Sequence, residues 1–234
     1  VTQTRMIWGM SAAYSMFPQR KEFLDAAKMG VDFLLAKFWD EEHGGWAWKV
    51  RRDGGLIDGA KLVYGQSFGI YSMAQYTLST GDPRGVEYAQ RTFDLLQKYA
   101  ADTLRGGYYE NLEAGWSVCS PGFPGGDRKS LDIHMHLMEA FTTLFAATGK
   151  EIHRRKLEEV TNLIVDRMVN KSAGCGLNHF SLDFTSIPPI NIERTWNAER
   201  ATGEVIEGPI NSTSYGHNVE LAWLLNRAID TLRV

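Results

Sequence analysis

The feature that most constrains this chain is a repeat of about 60 to 70 residues: two helical segments, then a glycine-rich turn entering a short aromatic strand. The links read FWDEEHGGWAW at 38–48, LRGGYYENLEAGW at 104–116 and, more loosely, GCGLNHFSLDF at 174–184. Apolar residues at the 3.6-residue period mark seven helices, over about 2–16, 20–38, 63–80, 83–101, 130–148, 150–170 and 213–232. Pro18, Gly81-Asp82-Pro83 and Gly149 separate the members of each pair, with Asp82 set to cap a helix and Pro83 at its first position. Tight links of that kind make antiparallel hairpins. Stacked hairpins form an open solenoid or a closed toroid, because each buries its apolar face only against the next. The alternative is an irregular helical domain whose Gly–aromatic turns coincide by chance.

A stack of hairpins should have an outer and an inner layer. Helix 20–38 carries Lys21, Glu22, Asp25, Lys28 and Asp32, and helix 150–170 carries Lys150, Glu151, Arg154, Arg155, Lys156, Glu158 and Glu159, which reads as a solvated outer face. His153 is expected on that solvated helix, and His43 in a turn. Helices 63–80, 130–148 and 213–232 have few charges and read as an inner ring covered on all sides.

The charge pattern excludes several classes. A net charge of -3 argues against nucleic acid as a partner, which calls for a basic stripe. No apolar run approaches the roughly 18 residues that span a bilayer. Two cysteines, Cys119 and Cys175, do not make a disulfide framework, so a reducing, cytoplasmic setting is expected. The chain begins at Val1, which leaves a removed leader open.

Two inner helices carry the chemistry. Asp132 and His136 are spaced i,i+4, and His217 and Glu220 i,i+3, so each pair shares one helix face. Burying a carboxylate with an imidazole calls for a reason, because unpaired polar groups are costly away from water. Two imidazoles and an arginine around one pocket can move a proton on and off carbon. His134 lies on a different face from His136 and reads as structural. A metal set of His134, His136, His217 and Glu220 is disfavoured, because an H-x-H pair suits a strand rather than a helix. Arg5 is also compatible with a simple carboxylate pair. Trp46, Trp48 and Trp116 can serve either as ligand-stacking rings or as core, and His179 either as a rim or as a packing residue.

Four stretches carry a family resemblance: RMIWGMSAAY at 5–14, FWDEEHGGWAW followed by VYGQSFGIY at 63–71, RKSLDIHMHLMEAFTTLF at 128–145, and SYGHNVELAWLL at 214–225. In their order along the chain they resemble the N-acylglucosamine 2-epimerase superfamily, and within it the cellobiose 2-epimerase branch. The resemblance implies an all-α (α/α)6 toroid of helical hairpins with short β excursions, incomplete here at about seven helices and forming one partial barrel domain over 1–234. It implies a small-molecule sugar substrate and neither metal nor redox cofactor. Carried over, it makes His217 a proton-transfer residue at C2 and places His136 near O1 and O2. Glu220 would orient His217 or bind sugar, Arg5 and Tyr64 would complete the pocket, and Trp48 is the candidate stacking ring. Asp132 stands where the branch usually has asparagine. The second acid–base histidine expected near the last hairpin has no counterpart here, so a C-terminal segment or a second chain is expected to complete the barrel.

The function these features imply is 2-epimerisation of the reducing-end aldose of a β-1,4 disaccharide through a cis-enediolate, with a mannose- or N-acylglucosamine-type isomerase or epimerase as the near alternative. Glycoside hydrolysis would need two opposed carboxylates, for which Asp132, Glu110 and Glu220 are available. A non-catalytic sugar- or protein-binding remnant of the barrel is the third class.

Overall fold

The computed structural model describes residues 1–189, 191–194 and 213–233. Seven α-helices lie close to the expected segments: α1 (Thr2–Met16), α2 (Lys21–Lys37), α3 (Val63–Thr80), α4 (Pro83–Leu95), α5 (Leu131–Thr148), α6 (Glu151–Leu163) and α7 (Tyr215–Leu232). Their ends follow from local chemistry. Asp82 accepts a hydrogen bond from the Arg84 N–H at 3.0 Å with Pro83 at the first position of α4, while Ser130 and Ser214 cap α5 and α7. Gly81 and Gly149 close α3 and α5 in the left-handed region, at φ 77° and 61°.

Helices α4 and α6 end earlier than the periodicity predicts. Each widens into a five-residue π turn, Leu96–Ala100 and Ile164–Met168, at the same place in successive repeats. Apolar spacing alone does not distinguish a π turn from one more α turn.

The repeat extends to single hydrogen bonds. In the first link Gly44 N–H donates to Asp40 O and Asp40 N–H to Gly45 O; in the second Gly106 donates to Asp102 O and Asp102 to Gly107 O; in the third Gly174 donates to Asn170 O. Antiparallel bridges Trp39–Trp46 and Ala101–Tyr108, and the pair β4 (Val169–Asn170) with β5 (Cys175–Gly176), occupy equivalent places. Two further antiparallel ribbons pair β1 (Lys49–Val50) with β2 (Leu56–Asp58), and β3 (Arg128–Ser130) with β6 (His179–Ser181). A buried lysine two residues before α3 and another before α5 reach the turns: Lys61 Nζ is 2.7 Å from Asp40 Oδ2, and Lys129 Nζ is 2.9 Å from Asp102 Oδ2. In the third repeat Asn170 and Thr213 occupy these positions without charge.

Helices α3 and α5 form the centre. α3 packs on α1, α4 and α5, and α5 packs on α3, α6 and α7. Both are buried on nearly every side. α7 differs from the expectation of an inner helix covered all round: it packs on α5 and α6, and Tyr215, Val219 and Trp223 are exposed, Tyr215 by 90%. Among the described residues no helix covers its other side. Met6 on α1, the opposite edge, is exposed as well. Apolar side chains are thus exposed on both end helices of the described stack. A cleft of about 910 Å3 between α5 and α7, lined by Phe145, Trp223, Arg227 and Asp230, lies along that edge. It opens toward the C-terminal ends of the two helices, away from the histidines.

His153 also departs from expectation. It lies on the core side of α6 in line with Leu157 and Val160, 2% exposed, its Nδ1 2.7 Å from Thr148 Oγ1 and its ring edge-on to Phe93. The charged residues around it belong to the other face of the helix. Burial, helped by Lys150, pulls its pKa down to about 4. A depressed folded-state pKa contributes stability above the unfolded value, near 6.5, that is lost as pH falls toward 4. His153→Leu should therefore flatten the acid limb of stability between about pH 6.5 and 4, removing a dependence on the order of 2 to 3 kcal/mol. Urea midpoints across that range test this, and an unchanged slope would locate the acid sensitivity elsewhere.

Among the described residues no helix is long and apolar enough to cross a membrane.

Candidate active site

The N-terminal turns of the inner helices converge, and each brings polar side chains. β3 leads into α5, whose first turn holds Asp132; His136 follows one turn later on the same face. Asp132 Oδ1 is 3.4 Å from His136 Nε2 and 3.7 Å from His217 Nε2, which comes from the first turn of α7. Ser214 accepts the His217 backbone N–H and so fixes the start of that turn. From α3, the Tyr64 ring stands edge-on to His136 at 5.3 Å, and Phe68 packs on the imidazole at 4.7 Å. From α1, Arg5 lies over the Phe68 ring at 4.4 Å and close enough to Tyr64 to act on its charge. Glu220 lies close enough to Tyr64 to act on its charge. Each helix N-terminus adds roughly half a positive charge, which favours an anion at this point.

The electrostatics divide the roles. His136 is 3% exposed, and burial alone would lower its pKa. Asp132 on Nε2 and Glu139 on Nδ1, the latter at 3.0 Å, outweigh burial and raise it to about 9, so the ring is an imidazolium at neutral pH. Burial, then Asp132, pushes the Tyr64 phenol well above its usual range against the pull of Arg5, so it keeps its proton. His217 is the more open ring, with its side chain 25% exposed. Two polar atoms here, Asp132 Oδ1 and His217 Nδ1, are buried without a hydrogen-bond partner among the described residues. Orphaned buried polar atoms are rare and costly, and at a converging polar surface they are where a polyhydroxylated ligand would bond.

Of the residues expected from sequence, Arg5, Tyr64, Asp132, His136, His217 and Glu220 are brought together. Trp48 lies beside Tyr64. Its ring packs on the first turn of α3, 3.3 Å from where a side chain on Gly65 would begin, and its Nε1 has no hydrogen-bond partner among the described residues. Trp46 and Trp116 are core, Trp46 against Trp39 and Trp116 donating to the His43 and Gly44 carbonyls. His134 is structural: its Nδ1–H donates to Ser130 O at 2.8 Å and its Nε2 accepts from Tyr108 N–H at 3.1 Å. His179 sits half-buried on β6 opposite Ser130, its pKa lowered to about 4 by burial and Arg128. Glu110 is removed from the candidate hydrolytic carboxylates, because it is buried and accepts from the backbone N–H and hydroxyl of Ser130 at the α5 cap. Glu139 was not among the sequence candidates, although its i,i+3 spacing from His136 was the available signal.

The chain is similar to several characterised proteins. It is 27% identical to the cellobiose 2-epimerase of Bacteroides fragilis over 236 residues, covering 99% of this chain and 54% of that protein. It is 28% identical to the D-mannose isomerase of Marinomonas mediterranea over 160 residues, covering 67% of this chain and 38% of that protein. The crystal structure of cellobiose 2-epimerase from Spirochaeta thermophila superposes with a TM-score of 0.82 at 27% identity, over 98% of this chain and 52% of that one. The chain thus spans about half the length of the relatives it matches most fully, and its fold is the corresponding part of an (α/α)6 barrel. The profile of the family described as N-acylglucosamine 2-epimerase (GlcNAc 2-epimerase) matches residues 1–232, and the chain belongs to that family.

Proposed function

We propose that this chain carries part of the site of a carbohydrate 2-epimerase that acts on the reducing-end aldose of a cellobiose-like disaccharide. The observation that carries the reading is the convergence of His136 and His217 on one carboxylate, Asp132, with Arg5 and Tyr64 opposite, at the N-terminal ends of four inner helices.

The chemistry follows from what an aldose requires. Its C2 proton is acidic only beside an open-chain C1 aldehyde, so the site must hold that form, remove the proton and stabilise a cis-enediolate. His217, the more accessible imidazole, is the proton acceptor. His136, charged at neutral pH, donates Nε2–H to the developing O1 or O2 oxyanion, and Arg5 adds positive charge. Preorganised donors in a site shielded from water usually contribute most of such stabilisation. Tyr64 keeps its proton and orients a hydroxyl. Inversion at C2 needs a second proton carrier on the opposite face of the enediolate. That carrier belongs to the part of the barrel beyond these seven helices, whether on the same polypeptide or another. With one face equipped, the same enediolate can be reprotonated at C2 with retention or at C1 to give a ketose, so aldose–ketose isomerisation is the second reading, and the similarity to mannose isomerases supports it.

Proton NMR of the chain with cellobiose, then mannose, in D2O is the test. Loss of the C2–H signal with a new epimer or ketose supports the reading. Loss without a new sugar points to a site equipped on one face. Intact C2–H in both sugars, with the chain folded, would overturn the reading for the chain alone.

A further inference from the structure

We infer that Glu139 is a positioning residue for His136: its carboxylate, one turn deeper along α5, accepts the Nδ1–H and thereby aims Nε2 at Asp132 and the mouth of the site. The inference rests on the role proposed above for His136.

Glu139 is 7% exposed in a stretch of α5 otherwise lined by Leu137, Met138, Ala140 and Phe141. A carboxylate buried there is costly unless it is paired. Its hydrogen-bond partner is His136 Nδ1 at 3.0 Å, and it lies close enough to the Tyr71 hydroxyl on α3 to act on its charge. Tyr71 in turn lies near the Arg227 guanidinium of α7, which pulls its pKa down, and is stacked on Trp8 of α1, the rings 5.2 Å apart and 15° from parallel. A second polar layer, drawn from all four inner helices, therefore sits directly beneath the first. It meets the first at His136.

Both carboxylates can only accept, and the Glu139 contact at 3.0 Å is the shorter of the two, so it is Nδ1 that holds the proton of the neutral ring. When the ring is neutral, Nδ1 keeps its hydrogen and Nε2 offers a lone pair to the sugar side. When it is charged, Nε2–H points to the same place. The ring thus presents one atom to the sugar in both states, with no reorientation between donating and receiving a proton. The groups that set its charge are Asp132 and Glu139 from α5, Tyr64 and Tyr71 from α3, Arg5 from α1, and His217, Glu220 and Arg227 from α7. Of these, only Asp132 and Glu139 touch the ring nitrogens. Removing Glu139 leaves the imidazolium with Asp132 at 3.4 Å, a longer contact.

The experiment is a ring-nitrogen NMR titration of His136 in the sugar-free chain, its signal assigned by its loss in His136→Gln. In the unmodified chain the midpoint should lie near 9, with the Nδ1–H tautomer above it. Glu139→Gln preserves an acceptor and removes the charge, so the midpoint should fall by about one to two units while the tautomer is kept. Glu139→Leu should lower it further and mix the tautomers. If the Gln variant does not fold, Glu139→Asp, which retains the acid and draws it back from Nδ1, should still lower the midpoint. A midpoint in a folded variant within about 0.3 unit of the unmodified chain, or an unchanged tautomer in the Leu variant, would overturn the inference. No sugar enters the titration, so it stands or falls separately from the proposed reaction. If the chain exchanges C2–H, the alkaline limb of its pH profile should move down with the same midpoint, a shift that a purely structural Glu139 would not produce.

Discussion

Replacing His217 with asparagine should lower the rate of C2–H exchange by about 10² to 10⁴ while leaving sugar affinity within a few-fold, because a positioned general base contributes about that much and little to ground-state binding. The residue is well suited to the comparison. Its ring sits in the first turn of α7, its side chain is a quarter exposed, and its one described ionic neighbour is Asp132 at 3.7 Å. Asparagine fits the same turn, so the cap from Ser214 to the backbone N–H survives. Exchange followed by NMR in D2O and affinity measured by calorimetry separate the two effects. Exchange that persists within tenfold would remove His217 as the proton acceptor, and a parallel loss of affinity would make it a binding residue instead.

The Asp132 carboxylate gives that experiment its context. The carboxylate stands between two imidazoles, favours the protonated form of His136, and faces the point where an enediolate would carry its own charge. His136 tolerates this, because an imidazolium is the useful form of a donor. Beside His217, 3.7 Å away, the same carboxylate opposes the anion that proton removal would create. At 3.4 and 3.7 Å neither imidazole is in a tight hydrogen bond with Asp132, so a sugar hydroxyl inserted between them could take up Oδ1, which has no hydrogen-bond partner among the described residues.

Much of this arrangement was legible in the sequence because it rests on local rules. The start of α4 was announced by Asp82-Pro83, and helix stops by Gly81 and Gly149. The common face of Asp132 and His136, and the different face of His134, follow from 3.6 residues per turn. What was not legible depends on partners distant in sequence. His153 looked solvated because its helix is rich in charge, yet it shares a stripe with Leu157 and Val160 and meets Phe93 of another hairpin. The composition of α7 marks an inner helix, but composition does not say whether a neighbour is present to cover Val219 and Trp223. Glu139 stood three residues from His136 in plain view. Its significance came only with Tyr71 and Arg227, contributed by helices α3 and α7. The glycines and aromatics of the links exposed the repeat, while the lysines that hold its turns lie 21 and 27 residues from their aspartates.

Those lysines support the other large expected effect. Lys129 is fully buried, its ammonium shared among Asp102, Gly106 O and Leu182 O, and Asp102 is 3% exposed while also accepting the Leu104 and Arg105 N–H groups. Lys129→Met leaves the buried aspartate with only the part-exposed Arg105 guanidinium, 3.5 Å from Oδ2, as a counter-ion. Breaking a buried pair from one side costs about 3 to 5 kcal/mol, which is comparable to the whole stability of many domains. Asp102→Asn strands the ammonium and should cost a similar amount, although the amide oxygen can still serve the turn. The third repeat indicates how the double change should behave. There Asn170 accepts the Ser172 and Ala173 N–H groups at 3.1 Å with no lysine, and the turn keeps its form. Asp102→Asn combined with Lys129→Met should therefore cost less than either single change, giving a coupling energy of about 2 kcal/mol or more in a double-mutant cycle. Urea midpoints at constant slope provide the measurement. Additive losses would mean that the two residues hold the turn separately, Asp102 through backbone N–H groups and Lys129 through carbonyls, with the ion pair contributing nothing of its own.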